Sequence, residues 1–430
     1  MKQKHLPLIL VALMALTSIA VGCGSDDPDD VTPVTPPDSS STDTIPEDTI
    51  PEDTVPEDTI VISVDSTIYV KWTGTSASVE VDEQLADQIT YEINGANVVL
   101  TNSNTTDEFL FVLSGTTADG SFTYNGEYKT SFTFDGLDIT SATGGAVNIQ
   151  CGKRIKLKLE DGSTNKLEDA ASSEQKAALN CQGHLEISGG GSLSIKGNAR
   201  HGLRSKEYLE LKPSTGEITV SAASDGIHCG EFFEMNGGTV VISDVGADGL
   251  QVETDATSEE KLNGQFIMTG GSLNVTLSAE DAKGIRLDDD ASDTSIVPHM
   301  QILGGTVTVN LTSTANGSKA IASDGNLTIG SQTTEPTVDI TVAGNVFTDP
   351  TTAEDNRATG IKADLTLTIA GGTTTVNATG TKSRGVRATT LTATGGTLTV
   401  TNTGAKSQGI KLDNTFVPGQ GGTVYGSFKY

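Results

Sequence analysis

Aromatic residues are scarce in this sequence. They make up 4% of 430 residues, and Trp72 is the one tryptophan. Flat crystalline polymers are usually gripped by rows of exposed rings, so that mode of binding has few residues to use. Cysteine is equally sparse. There are four in all, and none is spaced as Cys-x-x-Cys, which argues against a structural zinc site. After residue 23 no apolar run reaches the length of a spanning helix. Basic residues are outnumbered, 27 against 56 acidic, for a formal net charge of −29. A surface of that sign repels nucleic acid, whose binding depends on neutralising phosphates. No Gly-x-Ser-x-Gly elbow occurs, and the five histidines have no convincing triad companions.

The first 22 residues resemble a processing signal. Lys2 and Lys4 precede an apolar stretch from Leu6 to Ile19, which runs into Ala20-Val21-Gly22-Cys23. Small residues before a cysteine resemble a bacterial lipobox, although Ala20 stands where Leu is usual. Cleavage there would leave Cys23 as an acylated first residue. Several acyl chains hold a membrane far more firmly than one. The acidic run Gly24-Ser25-Asp26-Asp27-Pro28-Asp29-Asp30 resembles the signal that sends some lipoproteins to the outer face of the outer membrane. The expected location is therefore the outer membrane, exposed at the cell surface.

Residues 23–60 form a lipidated cysteine and a tether. Residues 24–60 hold no Lys or Arg, and from Asp43 the unit Asp-Thr-Ile/Val-Pro-Glu occurs three times, with a partial fourth at Asp58-Thr59-Ile60. Such a stretch buries too little apolar surface to fold. Proline and like charges keep it extended, with a reach of roughly 115 Å at about 3.1 Å per residue. Asp-Thr-Ile and Asp-Thr-Val also resemble a bacterial O-glycosylation acceptor, with Thr44, Thr49, Thr54 and Thr59 as the sites. A bare acidic spacer explains the same pattern. The remaining body, 61–430, keeps 25 basic and 44 acidic residues, a net −19. An acidic surface is suited to calcium.

The body is rich in glycine, with 48 in the whole chain, and in β-branched residues. That combination predicts many short strands and tight turns. Two motifs recur. The first is Gly-Gly-Thr/Ser followed by a short strand, as in Gly237-Gly238-Thr239-Val240-Val241-Ile242 and Gly304-Gly305-Thr306-Val307-Thr308-Val309. The second is Gly, an aliphatic residue, a polar residue and a small or apolar one. Examples are Gly202-Leu203-Arg204-Ser205, Gly226-Ile227-His228-Cys229 and Gly360-Ile361-Lys362-Ala363. The shortest spacing of this motif is 23 to 25 residues. The longer intervals, 252 to 287 to 323 to 363, are read as coils with 10 to 15 residue insertions on one side.

A repeat of about 24 residues with two or three strands is one turn of a parallel β-helix. One coil cannot bury its own inward side chains, and stacking coils builds a continuous core. The expectation is all-β: a right-handed parallel β-helix of about ten turns over 131–430, after the disordered tether. Residues 61–130 are a β-rich cap or a separate small domain. Alternation places Ile227 and Cys229 inside and His228 outside. Cys151, Cys181 and Cys229 are assigned to one inward position, where Cys151 and Cys181 form either a disulfide or a stack of buried thiols.

The segments Ser131-Phe132-Thr133-Phe134-Asp135-Gly136-Leu137-Asp138-Ile139-Thr140, Leu157-Lys158-Leu159-Glu160-Asp161-Gly162, His201-Gly202-Leu203-Arg204-Ser205-Lys206 and Ser224-Asp225-Gly226-Ile227 carry a resemblance. They resemble a family of calcium-carrying right-handed β-helix carbohydrate-binding proteins, with a fold like that of pectate lyases. The resemblance covers roughly 100–255 and implies polysaccharide binding with structural calcium.

Asp225 and Asp248 stand before the glycines of consecutive turns, with Asp244 and Glu253 nearby. Asp281, Asp288, Asp289 and Asp290 form the next acidic group. Calcium takes several oxygen ligands, so Asp225, Asp248, Glu253, Asp281 and Asp288 are the candidate metal ligands. The alternative is ordinary turn chemistry, which also favours Asp before Gly. A second column faces outward: Arg204, His228, Gln251, Arg286, Lys362, Arg387 and Lys411. Arg204, His228, Arg286, Lys362, Arg387 and Lys411 are candidate glycan-binding residues. Asp288, Asp364 and Asp413 lie two positions on, so charge pairing explains the same column. The leading expectation is a surface-anchored protein that binds an acidic, pectin-like glycan with calcium. A calcium-assisted lyase using Arg204, Lys206 or Arg286, and a structural or adhesive stalk, are the alternatives.

Overall fold

The computed structural model describes residues 66–289, 295–419 and 421–429. The signal segment, Cys23, the tether with Thr44, Thr49, Thr54 and Thr59, and Asp290 lie outside the described residues. Ile62–Tyr430 is one compact unit. Among the described residues no helix is long and apolar enough to cross a membrane.

The chain is a parallel β-helix. Among the described residues one hydrogen-bonded sheet takes in 33 strands, because each strand pairs with its equivalents one coil before and one coil after. Three stacks result. The first includes Ile155–Leu159, Leu185–Ser188, Leu209–Leu211, Phe232–Met235 and Gln265–Met268. The second includes Thr164–Glu168, Ser192–Gly197, Glu217–Ala222, Thr239–Val245 and Ser272–Leu277. The third includes Val147–Gln150, Ala177–Cys181, His201–Ser205, Ile227–Gly230, Leu250–Glu253, Lys283–Asp288 and Lys319–Ser323. It continues into the starts of Thr359–Ala378, Arg384–Asn402 and Gln408–Pro418.

Stacking begins early. Thr67–Thr73 pairs antiparallel with Ala77–Glu80, and Ile89–Asn94 with Ala96–Asn102, which closes the N-terminal end. Thr67–Thr73 also runs parallel to Phe109–Thr117, and that strand parallel to Thr130–Thr140. Residues 67–126 therefore supply both the cap and the first coils of the same stack.

Alternation decides what is buried. One inward column runs Leu179, Leu203, Ile227, Leu250, Ile285, Ile321, Ile361, Val386 and Ile410, each in register with the next and all sealed from solvent. Large rings fill the N-terminal coils, where Phe111 stacks on Phe132 at 5.4 Å and Trp72 meets Phe122 edge-on at 6.0 Å. The Gly-Gly motif makes the corner into the second stack. Gly305 has φ +76°, and a Cβ there would lie 2.4 Å from the carbonyl oxygen of Gly271 in the coil below. Only glycine takes that backbone shape without strain and lets the coils close to strand spacing.

Two details of the sequence reading are corrected. Cys181 and Cys229 share an inward column, with Ser205 between them, but Ile149 holds that column one coil before Cys181. Cys151 lies two residues past it, beyond the end of the strand Val147–Gln150. Cys151, Cys181 and Cys229 are all buried free thiols. The insertions also leave from more than one corner. Residues 254–264 interrupt the passage from third to first stack, whereas 343–358 interrupt the passage from second to third. Repeat spacing gives the length of an insertion and not the corner at which it leaves.

Candidate functional site on the third stack

The outward face of the third stack carries three columns of polar side chains. The middle column is the one expected from the repeat: Arg204, His228, Gln251, Arg286, then Ala322, Lys362, Arg387 and Lys411, in strict register. A column two residues on holds Glu253 and Asp288 in register. Asp324, Asp364 and Asp413 follow at the equivalent positions of later coils. The column before the recurring turn glycine changes sign along the stack. It begins with His201, Asp225 and Asp248, and continues as Lys283, Lys319, Thr359, Arg384 and Gln408.

Much of the middle column is ion-paired. Arg286 reaches Asp288 at 2.7 Å and Asp248 at 3.4 Å. Lys362 reaches Asp364 at 2.8 Å and Asp324 at 3.2 Å. Arg387 pairs with Asp413 at 3.2 Å, and Lys411 pairs with the same carboxylate. Arg204 is buried and set apart, with its Nη1 3.4 Å from Asn180 Oδ1.

The five acidic candidates do not converge on one point. Asp225 Oδ2 lies 3.1 Å from Nδ1 of both His201 and His228. Burial alone would raise the Asp225 carboxyl, but the two histidines hold it far below the usual range. Burial would likewise lower His228, and Asp225 and Glu253 instead raise it to about 9. Asp248 accepts the Lys283 N–H at 2.7 Å. Glu253 lies 3.5 Å from His228 Nε2. Asp281 pairs with Lys319 at 3.1 Å, and Asp244 is exposed.

Asp288, Asp289 and Asp324 do come together, with one oxygen from each within 4.8 Å of the others. Burial and the Asp324 carboxyl raise Asp288, while Asp324 is lowered by the hydrogen bond from Asp288 and by Lys362, against the effect of its own burial. Carboxyls gathered this closely disfavour one another's charge, a setting that a hard divalent cation would relieve through oxygen ligands. Of the five candidates, only Asp288 belongs to this oxygen cluster.

The C-terminal half of the face is a groove of about 600 Å³. Lys283, Arg286, Lys319 and Lys362 line it from the sheet, with Arg384, Arg387 and Lys411 from later coils and Arg357 from an overhanging hairpin. That hairpin pairs Val346–Thr348 with Asp355–Arg357. Three carboxylates stand against these cations: Asp281, Asp324 and Asp355. Among the described residues, Lys283, Arg357 and Arg384 have no carboxylate within salt-bridge distance. Arg384 is held by Gln408 Oε1 at 3.1 Å. Burial, then the charges of Arg387 and Arg357, push its guanidinium down to about 10. Among the described residues, no aromatic ring lines the groove.

The repeat motif points to Arg286, Lys362, Arg387 and Lys411 among the groove's cations, but not to Lys283, Lys319, Arg357 and Arg384. Three of these occupy the pre-glycine column, where Asp225 and Asp248 drew attention to turn chemistry. A register-aligned reading of that column would have shown the change of sign.

A solved structure with a similar fold is the polysaccharide lyase-like protein from C. thermocellum, determined as a gadolinium derivative. It is 22% identical, with a TM-score of 0.50, over 63% of this chain and 99% of that one. No curated protein matches the chain. A family model matches residues 94–409, so the chain belongs to the carbohydrate-binding domain-containing proteins.

Proposed function

We propose that the chain binds an acidic, pectin-like polysaccharide along the third stack, with the glycan's carboxylates meeting the cations of the C-terminal groove. The observation that carries this reading is the gathering of eight Lys and Arg side chains on a protein of net charge −29, three of them lacking a carboxylate partner among the described residues. Unpaired, partly buried cations are costly, and a polyanion offsets that cost. The groove spans five strands, about 19 Å at strand spacing, which suits a short stretch of extended glycan. The lack of lining rings fits charge recognition better than stacking on a neutral surface.

Calcium would bind at the edge of this groove. Asp288, Asp289 and Asp324 would hold it, and it would supply positive charge at the edge where the cationic column gives way to the acidic one. The tether and an acyl group on Cys23 would present the β-helix at the outer surface of the outer membrane.

The test is binding of the full chain to polygalacturonate, to a neutral glucan and to a sulfated glycan. Each is measured with calcium and with chelator, while unsaturated products are assayed. Salt-sensitive binding to polygalacturonate without product supports the proposal, and loss of part of the affinity with chelator assigns calcium its share. Unsaturated product would make the protein a lyase, with Arg204, Lys206 and Arg286 as the first residues to replace. No binding to any glycan would overturn the reading in favour of a structural or adhesive stalk.

A further inference from the structure

The N-terminal half of the same face has a different chemistry. Asp225 Oδ2 sits 3.1 Å from Nδ1 of His201 and 3.1 Å from Nδ1 of His228. The two imidazoles stack at 4.6 Å with 28° between their planes. All three groups come from adjacent coils: the Gly202 N–H donates to the Asp225 carbonyl, and Asp225 lies three residues before His228. The donors face inward to one another, with side-chain exposures of 17%, 7% and 13% for His201, Asp225 and His228.

We infer that His201, Asp225 and His228 form a binding site for a borderline divalent transition ion such as Zn²⁺, Ni²⁺ or Cu²⁺.

Donor spacing fits. A tetrahedral ion with bonds of about 2.0–2.2 Å needs its ligand atoms about 3.3 Å apart. Both Nδ1–Oδ2 distances, at 3.1 Å, are within a small adjustment of that. Donor chemistry fits as well. Two imidazole nitrogens select zinc, nickel or copper over calcium, which takes oxygen.

The supporting groups are also in place. Glu253 Oε2 faces His228 Nε2 at 3.5 Å. A carboxylate on the remote nitrogen puts the proton there and leaves the lone pair on Nδ1, the arrangement that orients metal-bound histidines. Asp225 Oδ1 accepts the Asp248 N–H at 3.0 Å, which fixes the carboxylate with Oδ2 turned to the histidines. His201 Nδ1 is inaccessible to solvent and has no well-directed hydrogen-bond partner. A buried nitrogen in that state costs stability unless something fills the gap. Three protein ligands leave one position open for water or a sugar hydroxyl.

The site stands independently of the glycan reading, because its ligands lie outside the cationic groove.

The experiment titrates the full chain with Zn²⁺ by calorimetry in two buffers of different ionisation enthalpy. Co²⁺ is then used as a visible probe of coordination number. One Zn²⁺ per chain should bind with proton release, and Co²⁺ should show the intense bands of a four-coordinate site. His201→Gln and His228→Gln should each weaken Zn²⁺ binding by at least about tenfold. Glu253→Gln alters an exposed residue, so the fold is safe, and it should weaken binding by about ten- to a hundredfold with the ligands intact. His184→Gln, on the first stack, should leave binding unchanged. Absence of Zn²⁺ binding to the wild-type chain, or binding that Glu253→Gln and His228→Gln leave unchanged, would overturn the assignment and leave the cluster as a charge pair.

Discussion

Replacing Arg384 with Gln should weaken binding of acidic glycan and stabilise the free protein at the same time. Glutamine keeps a polar end near Gln408 and removes the charge. The guanidinium falls from its ordinary range to about 10, mainly through burial and secondarily through Arg387 and Arg357. Arginine stays charged at neutral pH, so the fold carries the cost of that charge. The fall corresponds to a ceiling of about 3 kcal/mol, which solvent in the open groove screens to about 1 kcal/mol. A carboxylate of the glycan would remove that cost and add a charge-assisted hydrogen bond, a loss of about 1.5–3 kcal/mol on substitution. Affinity for a polygalacturonate oligomer should therefore drop about ten- to a hundredfold, while the urea midpoint of the free chain rises. Calorimetry and denaturant unfolding on the same preparations read both effects. Lys158→Ala, whose ammonium pairs with Glu160 at 2.8 Å on the first stack, should change neither affinity nor midpoint appreciably. Unchanged affinity together with a lowered midpoint would refute the argument, since Arg384 would then be a structural residue.

Three further outcomes follow from the packing and the charges. Gly305→Ala forces a side chain into a left-handed backbone and against the Gly271 carbonyl. It should cost at least about 2 kcal/mol, and a change below about 0.5 kcal/mol in denaturant unfolding would count against the close-stacked corner. Glu168 is held at about 2 by hydrogen bonds from Lys196 and then Asn198, with Lys166 adding to them against the effect of burial. The unfolded chain takes up its proton first as pH falls, so the stabilisation from Glu168 is complete above the ordinary carboxylate range and is lost toward pH 2. Between pH 5 and pH 2 the wild type should lose stability faster than Glu168→Gln, and parallel curves would disprove the pairing. Cys151, Cys181 and Cys229 should resist a thiol reagent in the native state and all react in denaturant. Burial raises the Cys181 thiol to about 12, so little thiolate forms even if the reagent enters. Rapid native labelling would mean that the coils open locally.

The repeat made the solenoid legible because its physics is local. A glycine at each corner and an alternating strand between corners leave little choice of fold, and the inward column from Leu203 to Ile410 follows directly from them. The outward middle column was legible for the same reason: Arg286, Lys362, Arg387 and Lys411 sit at one fixed offset from a glycine. What escaped was whatever depends on contact between coils. The assignment of Cys151 to the Cys181 column failed because the strand Val147–Gln150 ends one residue before Cys151, and motif spacing carries no information on strand ends. Arg357 reaches the groove from an insertion whose corner of departure the spacing could not fix. His201 lies in a structural motif, and nothing in Gly202-Leu203-Arg204-Ser205 says that Asp225 and His228 will lie beside it.

The pre-glycine column explains why one face can hold two kinds of site. In a solenoid each coil contacts only its neighbours, so a side chain at an outward position can change in one coil without disturbing the others. From Asp225 and Asp248 to Lys283, Lys319 and Arg384, the backbone register is constant while the charge reverses. The boundary falls where Arg286 bridges Asp248 and Asp288, one residue serving both halves. Arg286 is therefore poorly placed to report on glycan alone. Its replacement would free two carboxylates beside the histidine cluster as well as remove a groove cation. Arg384, four coils from Asp248 along the same column and without a carboxylate partner among the described residues, separates the two halves, which is why the glycan reading is best tested there and the metal reading at Glu253.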